Sequence, residues 1–257
     1  MKKTSVAIAL YFSSNRDRVP DGYLNDYLFF AKTHLDNLLK FKDKIHKIYF
    51  VYTQDESSVD SNYIESYFYE ILEKFTNVIV LKRPNLGGSY ASWHNVLEFD
   101  NNESDFITFI EDDYSLTDSG IDKMLNYYEE TPEMIYLCQL WNNERYTKDG
   151  MDIAGHAQIS NGMINNKLYN KLKNENGLDF TLYFNPGKIS IYNNQVSFLE
   201  QYRKNNILIR DMKNEYACVY LNGKDSIINF CKKDGEDVFI PISDWFPNHC
   251  PNLRYNW

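Results

Sequence analysis

Residues 105–113, with the sequence DFITFIEDD, decide the fold, because a run of apolar and β-branched residues leads directly into the acidic triplet Glu111-Asp112-Asp113. A short apolar run of this kind is typical of a strand buried inside a sheet. Successive side chains of an extended chain point to opposite sides, so Glu111 and Asp113 are predicted to converge while Asp112 points elsewhere. The stretch therefore predicts an internal strand that carries carboxylates past its carboxyl end.

The sequence before and after this strand alternates between strand-like and helix-like segments. Strand-like segments are short and apolar, and helix-like segments repeat their apolar residues at a spacing of about 3.6. In chain order they are strand 5–12, helix 23–42, strand 45–53, helix 60–75 with Asp60-Ser61 as its cap, strand 78–81, helix 87–99, the strand at 105–110, helix 120–129 and strand 134–140. This order predicts an α/β fold of the Rossmann-like type, with a mainly parallel central sheet and helices on both faces. Ligands of such sheets bind beyond the carboxyl ends of the strands.

The second half of the chain has a less regular pattern. Strand-like pieces occur at 206–209, 215–221 and 237–242, and helical patterns occur at 166–172 and 195–205. We find no repeat, low-complexity tract or flexible linker. The chain is therefore predicted to be a single domain, 1–257, whose first half is 1–140 and whose second half, 141–257, forms a smaller lobe.

Composition argues against some classes of protein. The formal net charge of −9 and the sequence pI of about 5.1 argue against a nucleic-acid partner, which would require a basic surface. The four cysteines lie far apart without a CxxC pair, which favours reduced thiols in a cytoplasmic protein over a zinc site or a disulfide framework. No signal-peptide core is expected at the N-terminus, and no stretch approaches the ~20 apolar residues of a transmembrane helix.

The acidic triplet suits a divalent cation. Three neighbouring carboxylates repel one another unless a cation lies among them, and hard carboxylate oxygens suit Mg²⁺ or Mn²⁺. Such an ion can hold two phosphates at once. The alternative is a solvated acidic turn that caps the following element through Ser115, Thr117 or Asp118. The position at the end of an internal strand favours the metal.

Two stretches together resemble a known family. Residues 83–93 (RPNLGGSYASW), followed by 106–113 (FITFIEDD), resemble the family-2 type of glycosyltransferase with a GT-A fold. The resemblance covers roughly residues 5 to 165. It implies that the first half binds a nucleoside-diphosphate sugar and the second binds an acceptor. It also implies that Glu111 and Asp113 hold Mn²⁺ or Mg²⁺ on the diphosphate, with Glu111 in place of the first aspartate of a DxD-type motif.

A glycine turn lies within the first of these stretches. Asn85, Gly87 and Gly88 lie at the start of a predicted helix, where glycines permit close approach of the backbone and free N–H groups attract anions. The alternative is that they only reverse the chain. By the resemblance, this turn lies close to the nucleotide-sugar.

Polar residues follow the first three strands and the triplet's strand on the same edge of the predicted sheet. The resemblance implies that these loops bind the base, ribose and phosphates of the donor. The residues assigned to the donor are Ser13, Asn15, Asp55, Arg83 and Asp112. An ordinary polar loop is the alternative for each.

The second half must supply the remaining groups. An inverting transfer needs a carboxylate to accept the proton of the acceptor hydroxyl. The acidic pair that usually carries this base in the family is absent, so Asp179 is the candidate, with Asp237 and then Asp244 as rivals. A retaining mechanism, which needs no such base, stays open. His249 resembles the late histidine that serves many GT-A enzymes as a further metal ligand, although a surface histidine is the alternative.

The sequence thus predicts a metal-dependent glycosyltransferase, with inversion favoured over retention. It would move a sugar from a nucleoside-diphosphate sugar, with UDP favoured, to a hydroxyl of a glycan, lipid-linked sugar or protein. One alternative is a nucleotidyltransferase, but residues 11–18 lack the glycines of the loop that such enzymes carry after the first strand. The other is a non-catalytic or degenerate module that binds a sugar or nucleotide.

Overall fold

A computed structural model describes residues 2–13, 28–55, 58–112, 114–140, 145–148, 151–154, 157–177, 208–211 and 218–220. The elements in chain order are β1 (Thr4–Phe12), α1 (Phe29–Leu39), β2 (Ile45–Gln54), α2 (Ser61–Lys74), β3 (Val78–Lys82), α3 (Gly88–Asp100), β4 (Phe106–Glu111), β5 (Tyr114–Leu116), α4 (Gly120–Glu130), β6 (Met134–Leu140), β7 (Arg145–Lys148), β8 (Met151–Ala154), β9 (Ala157–Asn165), α5 (Asn166–Asn176), β10 (Leu208–Asp211) and β11 (Cys218–Tyr220).

Seven of these strands form the central sheet in the order β10-β6-β9-β4-β1-β2-β3. Among the seven, β9 runs antiparallel to its neighbours β4 and β6, and the other adjacent strands are parallel. The prediction of a mainly parallel sheet is therefore confirmed. The order of the strands reverses at β1, which pairs with β2 on one side and with β4 on the other. The switch point of the sheet consequently lies between β1 and β4.

Alternate residues of β1 supply the two hydrophobic layers of the protein. Val6, Ile8 and Leu10 pack into one buried cluster with residues of α1, α2 and α4, whereas Ala7 and Ala9 pack into another with residues of α3 and α5. A strand that is buried on both faces is nearly continuously apolar, as β1 is. Helices thus cover both faces, as predicted.

Polar residues and one glycine set the ends of two helices. Asp60 precedes α2 and accepts a hydrogen bond from the Asn62 N–H at 2.9 Å, which confirms the predicted cap. Asn165 caps α5 in the same way, with its Oδ1 3.1 Å from the Leu168 nitrogen. Gly177 ends α5 with a φ of 67°, a conformation that glycine adopts without strain.

Some predicted boundaries differ from the structure. The helix predicted over 23–42 is α1, which ends at Leu39 because the next turn tightens, with the Phe41 N–H bonded to the Leu38 carbonyl. Strand β9 was not predicted, because its Asn and Gly residues are unusual in strands and the pairing with β4 and β6 decides its conformation. The predicted helix 195–205 and strand 237–242 lie outside the described residues.

A buried polar cluster joins four elements toward the amino end of β4. Asp100, at the end of α3, has no exposed surface and accepts hydrogen bonds from Tyr49 Oη at 2.6 Å, Ser104 N at 2.9 Å and Asn166 Nδ2 at 3.0 Å. Ser104 Oγ also donates to Asp100 and lies 2.7 Å from Ser5 Oγ in β1. Burial and the hydrogen bond to Asp100 both raise the pKa of Tyr49, so the phenol keeps its proton. The carboxylate is well satisfied here, and its role is structural.

Candidate functional site

The candidate site lies at the carboxyl edge of the sheet, beside the switch point. Ala9 of β1 pairs with Glu111 of β4, so both strands reach this edge next to each other. Open α/β sheets bind ligands in the crevice that forms where the strand order reverses. The acidic triplet begins at this position.

Asp112 anchors the triplet to the body of the protein. It is only 6% exposed, and its Oδ2 accepts a hydrogen bond from the Tyr11 N–H at 2.8 Å. Its carbonyl oxygen lies 2.9 Å from Nε2 of His34, a residue of α1 that is 1% exposed. Since a carbonyl can only accept, this ring nitrogen carries the proton. The carboxylate and the backbone of Asp112 thus both face β1 and α1, and its assignment to the donor stays a prediction.

Glu111 joins the triplet to the glycine turn and to β9. Ser89, in the first turn of α3, donates from its hydroxyl to Glu111 Oε1 at 2.7 Å. The Glu111 N–H donates to Oδ1 of Asn161 at 3.2 Å. The half-buried carboxylate of Glu111 therefore lies within one hydrogen bond of the first turn of a helix.

The glycine turn adopts a conformation that its residues require. Gly87 and Gly88 have φ angles of 77° and 58°, and Gly87 is the residue before α3. Positive φ values of this kind carry little strain for glycine and a substantial cost for most other residues. Asn85 lies exposed in the same turn. The backbone N–H groups at the start of α3 create a positive potential on this side of the crevice.

The side chain of Arg83 holds the glycine turn in place through hydrogen bonds. Its guanidinium donates to Ser92 Oγ at 2.9 Å, to the carbonyls of Pro84 and Leu86 at 2.7 Å each, and to the carbonyl of Gly88. Burial lowers its pKa to about 10, and the side chain still carries its proton at neutral pH. These four acceptors are neutral, so the charge adds to the positive potential of the helix start.

The loops after β1 and β2 meet at the same edge. The Asp55 N–H donates to the Phe12 carbonyl at 2.8 Å, and Ser58 Oγ donates to Asp55 Oδ2 at 2.9 Å. Ser13 follows Phe12 and is buried. The structure therefore brings Ser13 and Asp55 close together at this edge, in the loops that the resemblance assigns to the donor.

Several predicted site residues lie outside the described residues. They are Asn15, Asp113, Asp179, Asp237, Asp244 and His249. Within the described part of the chain, no group of three or more His, Cys, Asp or Glu side chains is arranged to hold a metal ion. The metal set Glu111, Asp113 and His249 thus stays a prediction.

Two residues of the site were missed by sequence reasoning. His34 lies on the buried face of α1, one turn from Phe30 and from Leu38, and a polar residue on such a face is a usable signal. Asn161 lies in β9, and its contact with Glu111 depends on the pairing of β9 with β4. No local pattern reveals that pairing.

No family model matches the sequence, and no relative of it is found among curated proteins. In structure, the chain is similar to a 4-diphosphocytidyl-2C-methyl-D-erythritol synthase from Anaerococcus prevotii, with a TM-score of 0.50 and 12% identity. The match covers 87% of this chain and 92% of the other. The chain has a GT-A-like fold.

Two further solved structures are also similar to this GT-A-like chain. S. aureus TarS gives a TM-score of 0.49 at 15% identity, over 89% of this chain and 37% of TarS. A glucose-1-phosphate thymidylyltransferase from Bacillus anthracis, in complex with a sucrose, gives 0.45 at 12% identity, over 93% and 97%. At these identities the likeness concerns the fold.

None of the helices that the structure describes is long and apolar enough to cross a membrane.

We expect Arg83→Gln to lower the free energy of unfolding by about 1–3 kcal/mol, because an amide cannot hold Ser92 and three loop carbonyls at once. Urea unfolding followed by circular dichroism measures this change. The matched control is Lys82→Gln, since Lys82 is an exposed neighbour whose Nζ lies 2.9 Å from Glu65. The control should stay within about 0.5 kcal/mol of wild type. Equal losses in both variants would show that Arg83 does not support the turn.

Proposed function

We propose that the protein is a metal-dependent glycosyltransferase that takes a sugar from a nucleoside-diphosphate sugar, with UDP as the favoured nucleotide. One observation carries the proposal: the hydrogen bond from Ser89 Oγ to Glu111 Oε1 at the switch point of the sheet. It places a carboxylate directly beside a helix start that attracts anions. A diphosphate together with a divalent cation matches this pair of opposite charges.

The chemistry of the donor set fits Mn²⁺ or Mg²⁺. The Glu111 carboxylate lies at the end of β4, and Asp113 follows two residues later in the sequence, so two hard oxygen ligands come from one short segment. We propose that Glu111 and Asp113 hold the ion and that His249 is a further ligand. When bound, the ion neutralises charge that develops on the departing diphosphate.

The positions of the loops support a nucleoside site on the other side of β1. Ser13 follows β1, Asp55 follows β2 and Arg83 follows β3, and these three strands are neighbours in the sheet. We propose that Ser13, Asn15 and Asp55 contact the base and ribose. Arg83, together with the turn at Asn85, Gly87 and Gly88, provides positive potential for the phosphates.

The second half of the chain, 141–257, would supply the group that takes the proton from the attacking hydroxyl. For an inverting transfer we propose Asp179 as the general base, with Asp237 as its rival. The acceptor is a hydroxyl of a glycan, a lipid-linked sugar or a protein. The net charge of −9 argues against nucleic acid in this role.

A nucleotidyltransferase is the second candidate. The observation that favours it is the fold likeness to the Anaerococcus synthase, which extends over 92% of that chain. The segment after β1 counts against it, since residues 11–18 contain no glycine to wrap a triphosphate. The two candidates differ in the product that is released, which is a nucleoside diphosphate for sugar transfer and pyrophosphate for nucleotidyl transfer.

We expect UDP with Mn²⁺ to raise the melting temperature of the protein by about 5 °C when the ligand concentration is about 100 times Kd. GDP and dTDP, each with and without Mn²⁺, complete the panel. Without Mn²⁺ the shift should shrink, because the proposed ion links the carboxylates to the phosphates. No shift with any of the nucleotides would contradict the proposal. Release of pyrophosphate from a nucleoside triphosphate and a sugar phosphate would favour the second candidate.

A further inference from the structure

Strand β9 has an irregularity next to the site. Along β6, Cys138 pairs with Gly162 but the next residue, Gln139, pairs with Gln158, so residues 159–161 have no partner in that register. Along β4, the pairing ends with Phe109 opposite Gly162. Asn161 therefore lies directly beyond the β4 ladder and within the break of the β6 ladder, at the carboxyl edge of β4. Bulges of this kind redirect side chains and are common beside active sites.

Gly162 fixes the position of the bulge. A Cβ atom at this residue would lie 2.2 Å from the carbonyl oxygen of Leu137 and 2.8 Å from Tyr136 Oη. Both distances are far below van der Waals contact, so β9 can approach β6 here only without a side chain. The close approach holds the neighbouring residue, Asn161, in place.

The carboxamide of Asn161 has one satisfied end and one unsatisfied end. Its Oδ1 accepts from the Glu111 N–H at 3.2 Å, which fixes the orientation of the amide because the opposite orientation would set two donors against each other. Its Nδ2 is buried and has no hydrogen-bond partner among the residues that the structure describes, and the residue as a whole is only 1% exposed. A buried amide without an acceptor is unfavourable. The Nδ2 of Asn161 therefore lacks an acceptor among the described residues.

The order of the strands indicates which part of a ligand would supply an acceptor for Nδ2 of Asn161. In the sheet, β3, β2, β1, β4 and β9 follow one another, about 4.8 Å apart. The proposed nucleoside contacts follow β1 and β2, and the proposed diphosphate contact, Glu111, ends β4. A nucleotide-sugar continues from nucleoside to diphosphate to sugar, so its sugar comes to β9.

We propose that Asn161 is a specificity-determining residue, whose Nδ2 donates a hydrogen bond to an oxygen of the sugar that is transferred. This inference rests on the proposed function. It distinguishes Asn161 from Thr108, whose buried Oγ1 also has no partner within the described chain but which lies inside the β4 ladder, opposite Met163. Thr108 is three residues from Glu111 and does not reach the edge of the sheet.

Isothermal titration calorimetry with Mn²⁺ tests the proposal on the full chain. The variants are Asn161→Leu, which is close in size but apolar, and the control Thr108→Val, which removes the other buried polar atom. The ligands are UDP and its conjugates with glucose, galactose and N-acetylglucosamine. If GDP binds the wild type more tightly than UDP does, GDP and GDP-mannose replace UDP and its conjugates.

For Asn161→Leu we expect the Kd of the preferred nucleotide-sugar to rise about 10- to 100-fold, while the Kd of the free nucleoside diphosphate changes less than about 3-fold. Thr108→Val should change neither constant. The comparison separates a sugar contact from a merely structural role, since support of Glu111 alone would affect both ligands equally.

Three results would overturn the proposal. Equal weakening of nucleotide and nucleotide-sugar would show that Asn161 acts only on Glu111. If Asn161→Leu binds both ligands as the wild type does and melts at a higher temperature, the buried amide only destabilises the fold. Failure of the wild type to bind any nucleotide would remove the proposed function, and the inference with it. If Asn161→Leu does not fold, Asn161→Ala, which removes the amide without adding charge or bulk, carries the same comparison.

Discussion

Glu111→Gln is expected to lower Mn²⁺-dependent turnover of the nucleotide-sugar by at least about 100-fold. A metal ion on a developing charge contributes several kcal/mol to the barrier, and about 1.4 kcal/mol corresponds to a factor of ten in rate. The fold should persist, because the glutamine oxygen can still accept the hydrogen bond from Ser89. The measurement is the release of nucleoside diphosphate over a range of Mn²⁺ concentrations.

The same substitution at Glu103 provides the control. Glu103 lies near the other end of β4, where its exposed carboxylate is 2.7 Å from Lys47 Nζ. Glu103→Gln should leave turnover unchanged. Asp113→Asn, measured in parallel, should resemble Glu111→Gln. Near wild-type activity with Mn²⁺ in both Glu111→Gln and Asp113→Asn would show that the triplet is an ordinary acidic turn.

Asp100→Ala is expected to lower the free energy of unfolding by about 3–5 kcal/mol. The change leaves buried donors of Tyr49, Ser104 and Asn166 without their acceptor, and each stranded donor costs about 1–3 kcal/mol before the structure relaxes. A domain of ordinary stability has only about 5–15 kcal/mol in total, so the variant would lose a large share of its stability. Urea unfolding measures the change.

Two companions make the Asp100 result specific. Tyr49→Phe removes a single donor and should cost about 1 kcal/mol. Asp122→Ala removes an exposed carboxylate that pairs with Lys44 and should stay within about 0.5 kcal/mol of wild type. A loss below about 1 kcal/mol in Asp100→Ala would mean that water or neighbouring groups replace the carboxylate.

Local patterns were sufficient for the parts of the fold whose causes are local. The apolar run of β4 placed Glu111 at the carboxyl end of an internal strand, and Asp60 marked the start of α2. The pair Gly87-Gly88 predicted a turn before α3, since the positive φ values found there suit glycine. In each case neighbours in the sequence determine the conformation.

Contacts between distant segments could not be predicted in this way. Asp112 meets Tyr11 and His34 only after β1 and α1 have packed beside β4, and Asn161 meets Glu111 only because β9 enters the sheet. Strand β9 itself depends on partners in β4 and β6 that are distant in the sequence. Periodicity carries no information on such pairings.

The place of β9 in the sheet also has a consequence for biosynthesis. β9 lies between β4 and β6, although both of those strands precede it in the chain. Until Asn165 has left the ribosome, β4 and β6 each expose an unpaired edge, and such edges invite association with other chains. The nascent chain therefore has to delay closure of its central sheet.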